Sequence, residues 1–201
     1  MFVDASAIVA ILTREPDADA LIERLERAIR PITSAVAIFE AALGLCRKRH
    51  ASVEEARADI ADFIKAARIE LVAIAANEAS IALSAFAWYG KGRGHPAPFN
   101  MGDCFAYAVA GNHRITLLFK GGDFSKTDIV TAREDPGRRT LQAKSSAPRR
   151  GPGRPRHLSR QVWAGWPGPA PPTYKGTVQP ETGTVLLWRT FRDARAARAP
   201  S

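Results

Sequence analysis

Short strand-like segments alternate with helical stretches through the first 130 residues, and this alternation most limits what the chain can fold into. Residues 2–4, 31–33, 70–74 and 115–119 are short, largely apolar and rich in β-branched types. Between them lie patterns of helical period. The first, 6–12, is separated by the break at Glu15-Pro16 from one beginning at Asp17 and Asp19. Ser34 stands where a cap would start a helix running to about Arg49, with Lys and Arg at its C-terminal end. Ser52, with Glu54 and Glu55 behind it, starts another helix ending near Arg68, and 77–89 forms a further helical stretch. Asn100 precedes an apolar helix that stops around Gly111-Asn112, and residues 129–131 read as a last short strand. Strands joined by whole helices pair in parallel. The expected fold is therefore α/β with a central parallel sheet, and its functional groups belong at the carboxyl ends of the strands.

The chain does not keep this character to its end. Ten of its 14 prolines fall in residues 131–201, together with many arginines and little apolar periodicity. Two regions are expected: a folded domain over 1–134, and a basic, Pro/Arg-rich tail over 135–201 that is largely disordered. Within the tail only 183–191 suggests a strand. The net charge of +9 divides unevenly. Residues 1–130 hold 15 Lys+Arg and 16 Asp+Glu, whereas 131–201 hold 14 and 4. The basicity belongs to the tail and says nothing about what the first domain does. Cys46 and Cys104 both sit in apolar helical patterns, as small core residues would, and do not suggest a disulfide framework. No apolar run reaches membrane-spanning length, and the first residues lack the basic start of a secretory signal, so a soluble cytoplasmic protein is expected.

Three acids are conspicuous by their surroundings. Asp4 is the only charge in the first 13 residues, Glu40 the only one between Thr33 and Cys46, and Asp103 the only formal charge between Gly94 and His113. A buried carboxylate without a partner costs several kcal/mol, so each of these needs a reason to be there. Asp4 ends the first strand, Asp103 stands in the first turn of a helix, and Asp123 follows in the turn after the fourth strand. Convergence on a shared cation would account for all of them. An oxygen-only donor set favours Mg²⁺ or Mn²⁺ over Zn²⁺. Each acid also has a plainer role open to it. Asp4 can cap the following helix, Glu40 can pair with Arg47, Asp103 can complete a capping box with Asn100, and Asp123 can serve the turn alone. Ser6 is by default a helix-start residue, and its spacing also allows it to orient Asp4.

At these residues the sequence resembles the PIN-domain proteins, specifically the VapC-type toxins of bacterial toxin–antitoxin pairs. FVDASAIVAIL carries Asp4 and Ser6, SAVAIFEAALGL carries Glu40, NMGDCFAYAVA ends an Asn-x-x-Asp pattern at Asp103, and LLFKGGDFSKTDI places Asp123 before Phe124. All four motifs occur in order over about 130 residues. The resemblance implies a three-layer α/β/α fold and a Mg²⁺- or Mn²⁺-dependent endoribonuclease acting on RNA. It also implies a homodimer and a cognate VapB-type antitoxin. It assigns metal binding to Asp4 and Asp103, and metal or catalytic support to Glu40 and Asp123. Gly122 departs from the pattern, since relatives often have Asp or Asn there.

Other features fall around this frame. The loop GKGRGHPAP supplies Lys91, Arg93 and His95 just ahead of Asp103, either as phosphate contacts or as a solvated loop. Phe86, Trp88 and Tyr89 before it suit a core or a dimer interface better than base stacking. An aspartyl-nucleophile phosphohydrolase is a rival reading, but such chemistry calls for a second acid two residues after Asp4, where this chain has Ser6. A further rival is a non-catalytic domain whose basic tail binds nucleic acid.

Overall fold

A computed structural model of the chain describes residues 1–131. The boundary at 134, the disorder expected of 135–201 and the strand suggested at 183–191 lie outside the described residues.

Four short parallel strands form the sheet: β1 (Phe2–Val3), β2 (Ile32–Ser34), β3 (Glu70–Val72) and β4 (Leu117–Leu118). Their order across the sheet is β3-β2-β1-β4. Phe2 registers with both Ile32 and Leu117, and Ser34 with Val72. Helices α1 (Ala5–Leu12) and α2 (Ala18–Glu26) join β1 to β2. Helices α3 (Ala35–Arg49) and α4 (Val53–Ala66) join β2 to β3, and α5 (Ala76–Tyr89) and α6 (Met101–Asn112) join β3 to β4. The first two crossovers step one way along the sheet and the third steps back. Right-handed crossovers therefore place α1–α4 on one face and α5–α6 on the other. The packing agrees: α1 rests on α3, α3 on α4, and α5 on α6. The result is the expected three-layer α/β/α arrangement.

Local signals set most of these elements. Ser34, Ser52 and Asn100 each accept a hydrogen bond from a backbone N–H in the first turn of the helix they cap. Such caps contribute about 1 kcal/mol each. β1, β2 and β4 consist wholly of buried residues, whereas β3 at the sheet edge leaves Glu70 and Leu71 exposed. Phe2, Val3, Leu117 and Leu118 are sealed from solvent, and with Ile8, Leu21, Leu45, Ile60, Phe63 and Phe119 they make one continuous core. Thr33 is buried within it, its hydroxyl donating to the Val3 carbonyl at 2.9 Å.

Among the described residues the expected fifth strand at 129–131 does not form. Leu117 forms a single parallel bridge with Thr131, and its N–H donates to Val130 O. Phe124–Lys126 forms a 3₁₀ turn instead of open coil. Both cysteines are unpaired. Among the described residues no helix is long and apolar enough to cross a membrane.

Candidate active site

The direction of connection reverses between β1 and β4, since β1 leads away toward β2 while β4 arrives from β3. Such a reversal opens a crevice beyond the carboxyl ends of the two strands. Asp4 follows directly on β1 at this point, and its N–H donates to Leu118 O of β4 at 3.0 Å. It is also the N-cap of α1, its carboxylate accepting from the Ser6 backbone N–H at 2.9 Å and from the Ser6 hydroxyl at 2.5 Å. The capping role foreseen for Asp4 is therefore real. It does not account for the burial, since only 4% of the residue is exposed. That burial drives its pKa above the usual carboxylate value, against the lowering effect of the Ser6 hydrogen bonds.

Asp103 combines two roles in the same way. Its backbone N–H donates to the Asn100 side chain at 2.9 Å, and its carboxylate accepts from the Asn100 N–H at 2.8 Å. This is the reciprocal capping box. Yet its pKa is pushed up to about 7, first by burial and then by the negative charges of Asp4, Glu40 and Asp123, while the Asn100 hydrogen bond pulls the other way. A carboxyl that feels all three other acids must stand among them.

Glu40 approaches from α3 on the opposite layer. Its carboxylate lies over Gly102, one residue before Asp103, so closely that a Cβ on Gly102 would overlap it. The amino end of α6 favours an anion there. Burial and the charge of Asp4 raise the Glu40 pKa, and Arg47 opposes them. Among the described residues Glu40 and Arg47 form no ion pair, so the plain reading of Glu40 as a satisfied salt bridge does not hold.

Asp123 is about half exposed. It stands at the start of the 3₁₀ turn, makes no capping hydrogen bond, and has an ion pair with Lys126 at 3.1 Å. The turn leading to it contains Gly121, whose φ of +105° is open to glycine but strained for other residues. Gly122 beside it meets open space.

The four acids thus come from β1, α3, α6 and the turn after β4 to one end of the sheet. Their charge and hard-oxygen chemistry fit a divalent cation. Among the described residues no group of three or more His, Cys, Asp or Glu side chains is arranged closely enough to hold a metal ion. The fit is one of charge and donor type.

Several supporting contacts carry no local sequence signal. The Ser6 hydroxyl accepts from the Lys120 N–H at 2.9 Å, joining the end of β4 to Asp4. The Lys120 ammonium is held by Glu15 and Asp17, and Glu15 also binds Lys48 of α3. One Asp128 carboxylate oxygen accepts from both Tyr89 and Tyr107, at 3.0 and 2.7 Å, fastening the last described segment to α5 and α6. Gly102 did offer a signal. A glycine inside a helix costs about 1 kcal/mol relative to alanine, and its presence marks a close approach.

Comparison with known proteins places this geometry in context. The PIN domain family model matches residues 1–130. The chain is 45% identical over 141 residues to a VapC ribonuclease, R02377, of Rhizobium meliloti, covering 64% of this chain and 98% of the relative. It is 37% identical over 132 residues to Ribonuclease VapC28 of Mycobacterium tuberculosis, covering 66% and 97%. Among solved structures, Mycobacterium tuberculosis VapC20, described as a sarcin-ricin loop cleaving toxin, superposes with a TM-score of 0.52 over 64% of this chain and 95% of its own. At 19% identity that likeness speaks for the fold.

Proposed function

Since the chain belongs to the PIN-domain family, with VapC ribonucleases among its relatives, we propose that it is the toxin of a toxin–antitoxin pair, an endoribonuclease that hydrolyses RNA phosphodiester bonds at the acidic centre. The carrying observation is that Asp103 is pushed up to about 7 by burial together with three neighbouring carboxylates. Four acids gathered where they destabilise one another are relieved when a cation joins them, which supports a divalent-metal centre.

Asp4 and Asp103 are the ligands in this reading, with Glu40 and Asp123 completing or supporting the set. When bound, Mg²⁺ or Mn²⁺ would generate a hydroxide from water and offset charge on the attacking and leaving oxygens. The protein's own part is positional. Ser6 and the Lys120 amide fix the Asp4 carboxylate, the Asn100 cap fixes that of Asp103, and Gly102 leaves room for that of Glu40. Ser6 stands where an aspartyl phosphohydrolase would need its acid, and here it donates to Asp4 instead. The same reading gives the protein a VapB-type antitoxin as partner, a homodimeric state and a cytoplasmic site of action.

The full chain should cleave RNA with Mg²⁺ or Mn²⁺ and not with EDTA. Asp4→Asn and Asp103→Asn should each lower the rate more than about 100-fold, the kinetic equivalent of several kcal/mol. Undiminished cleavage by both variants would remove the acidic centre as the site of reaction.

A further inference from the structure

The loop between α5 and α6 is a built structure. Its neck is closed by the bridge between Gly90 and Phe99, with Lys91 N–H donating to Phe99 O at 2.9 Å and Phe99 N–H to Tyr89 O at 2.8 Å. Inside the loop Ala97 is wholly buried, and its N–H donates to His95 Nδ1 at 3.0 Å. The His95 ring meets Tyr89 edge-on, with centroids 4.8 Å apart. Gly92 and Gly94, with φ of +85° and +77°, raise Arg93 between them at the tip. The Arg93 guanidinium then lies 5.1 Å from the centroid of the half-exposed Phe86 ring. Lys91 and Arg93 are both exposed, and neither is in an ion pair among the described residues.

This loop adjoins the acidic centre at two points. Asn100, directly after it, donates its N–H to Asp103. The Lys126 ammonium bridges the Pro96 carbonyl at 2.9 Å and the Asp123 carboxylate at 3.1 Å. Four acids in one crevice repel a polyanion, so a nucleic-acid strand brought to them has to be held from the rim. Lys120 and Lys126 are already engaged with carboxylates. Lys91 and Arg93 are not; Phe86 and Trp88, read from the sequence as core or interface residues, are exposed instead, and the Arg93 guanidinium over Phe86 suits an unpaired strand with splayed bases.

We propose that this loop is the anchoring surface for single-stranded RNA, with Lys91 and Arg93 each taking a phosphate of the strand that enters the acidic centre. The proposal rests on the reading of the substrate as RNA. It goes beyond that reading in naming the two cations and the conformation of the strand.

The test uses the full chain, its Lys91→Ala/Arg93→Ala variant and a fluorescein-labelled single-stranded oligoribonucleotide of mixed sequence. The tail is the same in both proteins, so differences report the loop. In the double variant KM should rise about tenfold and kcat should stay within about twofold. The slope of log(kcat/KM) against log salt should flatten by about 1.4, or roughly 0.7 per lost phosphate contact on a single strand. Arg93→Lys in place of Arg93→Ala should restore about half of the lost slope, roughly 0.7, because it returns one of the two charges. Unchanged KM and slope would overturn the proposal. If the unaltered chain cleaves nothing with either metal, the ribonuclease reading fails separately. The loop is then judged by the affinity of the same oligonucleotide, where equal Kd and salt slope in the two proteins overturn it.

Discussion

The carboxylate of Glu40 lies against the bare Cα of Gly102, bringing α3 of one layer into contact with the first turn of α6 in the other. Helix propensity alone would favour alanine at this position by about 1 kcal/mol. Packing opposes it, because the added methyl would occupy the space of the carboxylate. The group displaced is the far end of a flexible side chain, so the fold can yield where the site cannot. Gly102→Ala should leave the melting temperature within a few degrees of the parent and lower Mn²⁺ affinity and cleavage more than about tenfold. Isothermal titration and a thermal melt check the two halves, and parental metal affinity in this variant would remove Glu40 from the centre.

The second prediction concerns pH. Burial, above all, pushes the Asp103 carboxyl up to about 7, well above the usual carboxylate value. A carboxyl raised in this way keeps its proton in the native state over a range where the unfolded chain has released it. Its contribution to stability is complete below the unfolded value and is lost as pH rises through about 7. In EDTA, Asp103→Asn should therefore match the parent near pH 4 and become progressively more stable than it up to pH 8, since the amide removes the buried charge. The amide oxygen can still accept from the Asn100 N–H, so the cap survives. Mn²⁺ should stabilise the parent above pH 7 and leave the variant unchanged. Melts in both conditions decide this, and parallel pH curves for the two proteins would contradict it.

Ser6 gives a third prediction. Its hydroxyl donates to Asp4 and accepts from the Lys120 N–H. Ser6→Ala would leave that amide without its partner and remove one of the bonds that hold the Asp4 pKa down. A loss of about 1–3 kcal/mol is expected from the unmade bonds, readable in the denaturant midpoint. The pH at which cleavage reaches half its maximum should move upward. Ser6→Thr, which keeps the hydroxyl, should restore both. A stability loss without movement of the pH profile would assign Ser6 to the fold alone.

Much of this molecule was legible in the sequence because it is local. The caps at Ser34, Ser52 and Asn100 satisfy donors within three residues, so the residues name their own role. The order of strands and helices followed from hydrophobic period, and with it the parallel sheet. Asp4, Glu40 and Asp103 stood out because a lone charge in an apolar segment is costly wherever the segment packs. Asp123, in a polar turn, carried no such signal and was identified by the motif around it. The segment at 129–131 was overread. Its residues have strand character, but among the described residues they form a single bridge, to Leu117.

The sequence by itself thus determined the elements and which acids required explanation, since both depend on neighbours along the chain. Only the tertiary structure decided that Glu40 and Gly102 touch across 62 positions, that the Lys120 amide secures Ser6, and that Lys126 ties the basic loop to Asp123. It also decided that the capping roles of Asp4 and Asp103 coexist with membership of one acidic cluster. The physical reason is that burial and electrostatic repulsion depend on distance in space. For residues on four different elements, that distance is fixed by the crossovers of the sheet and by nothing local to any of them.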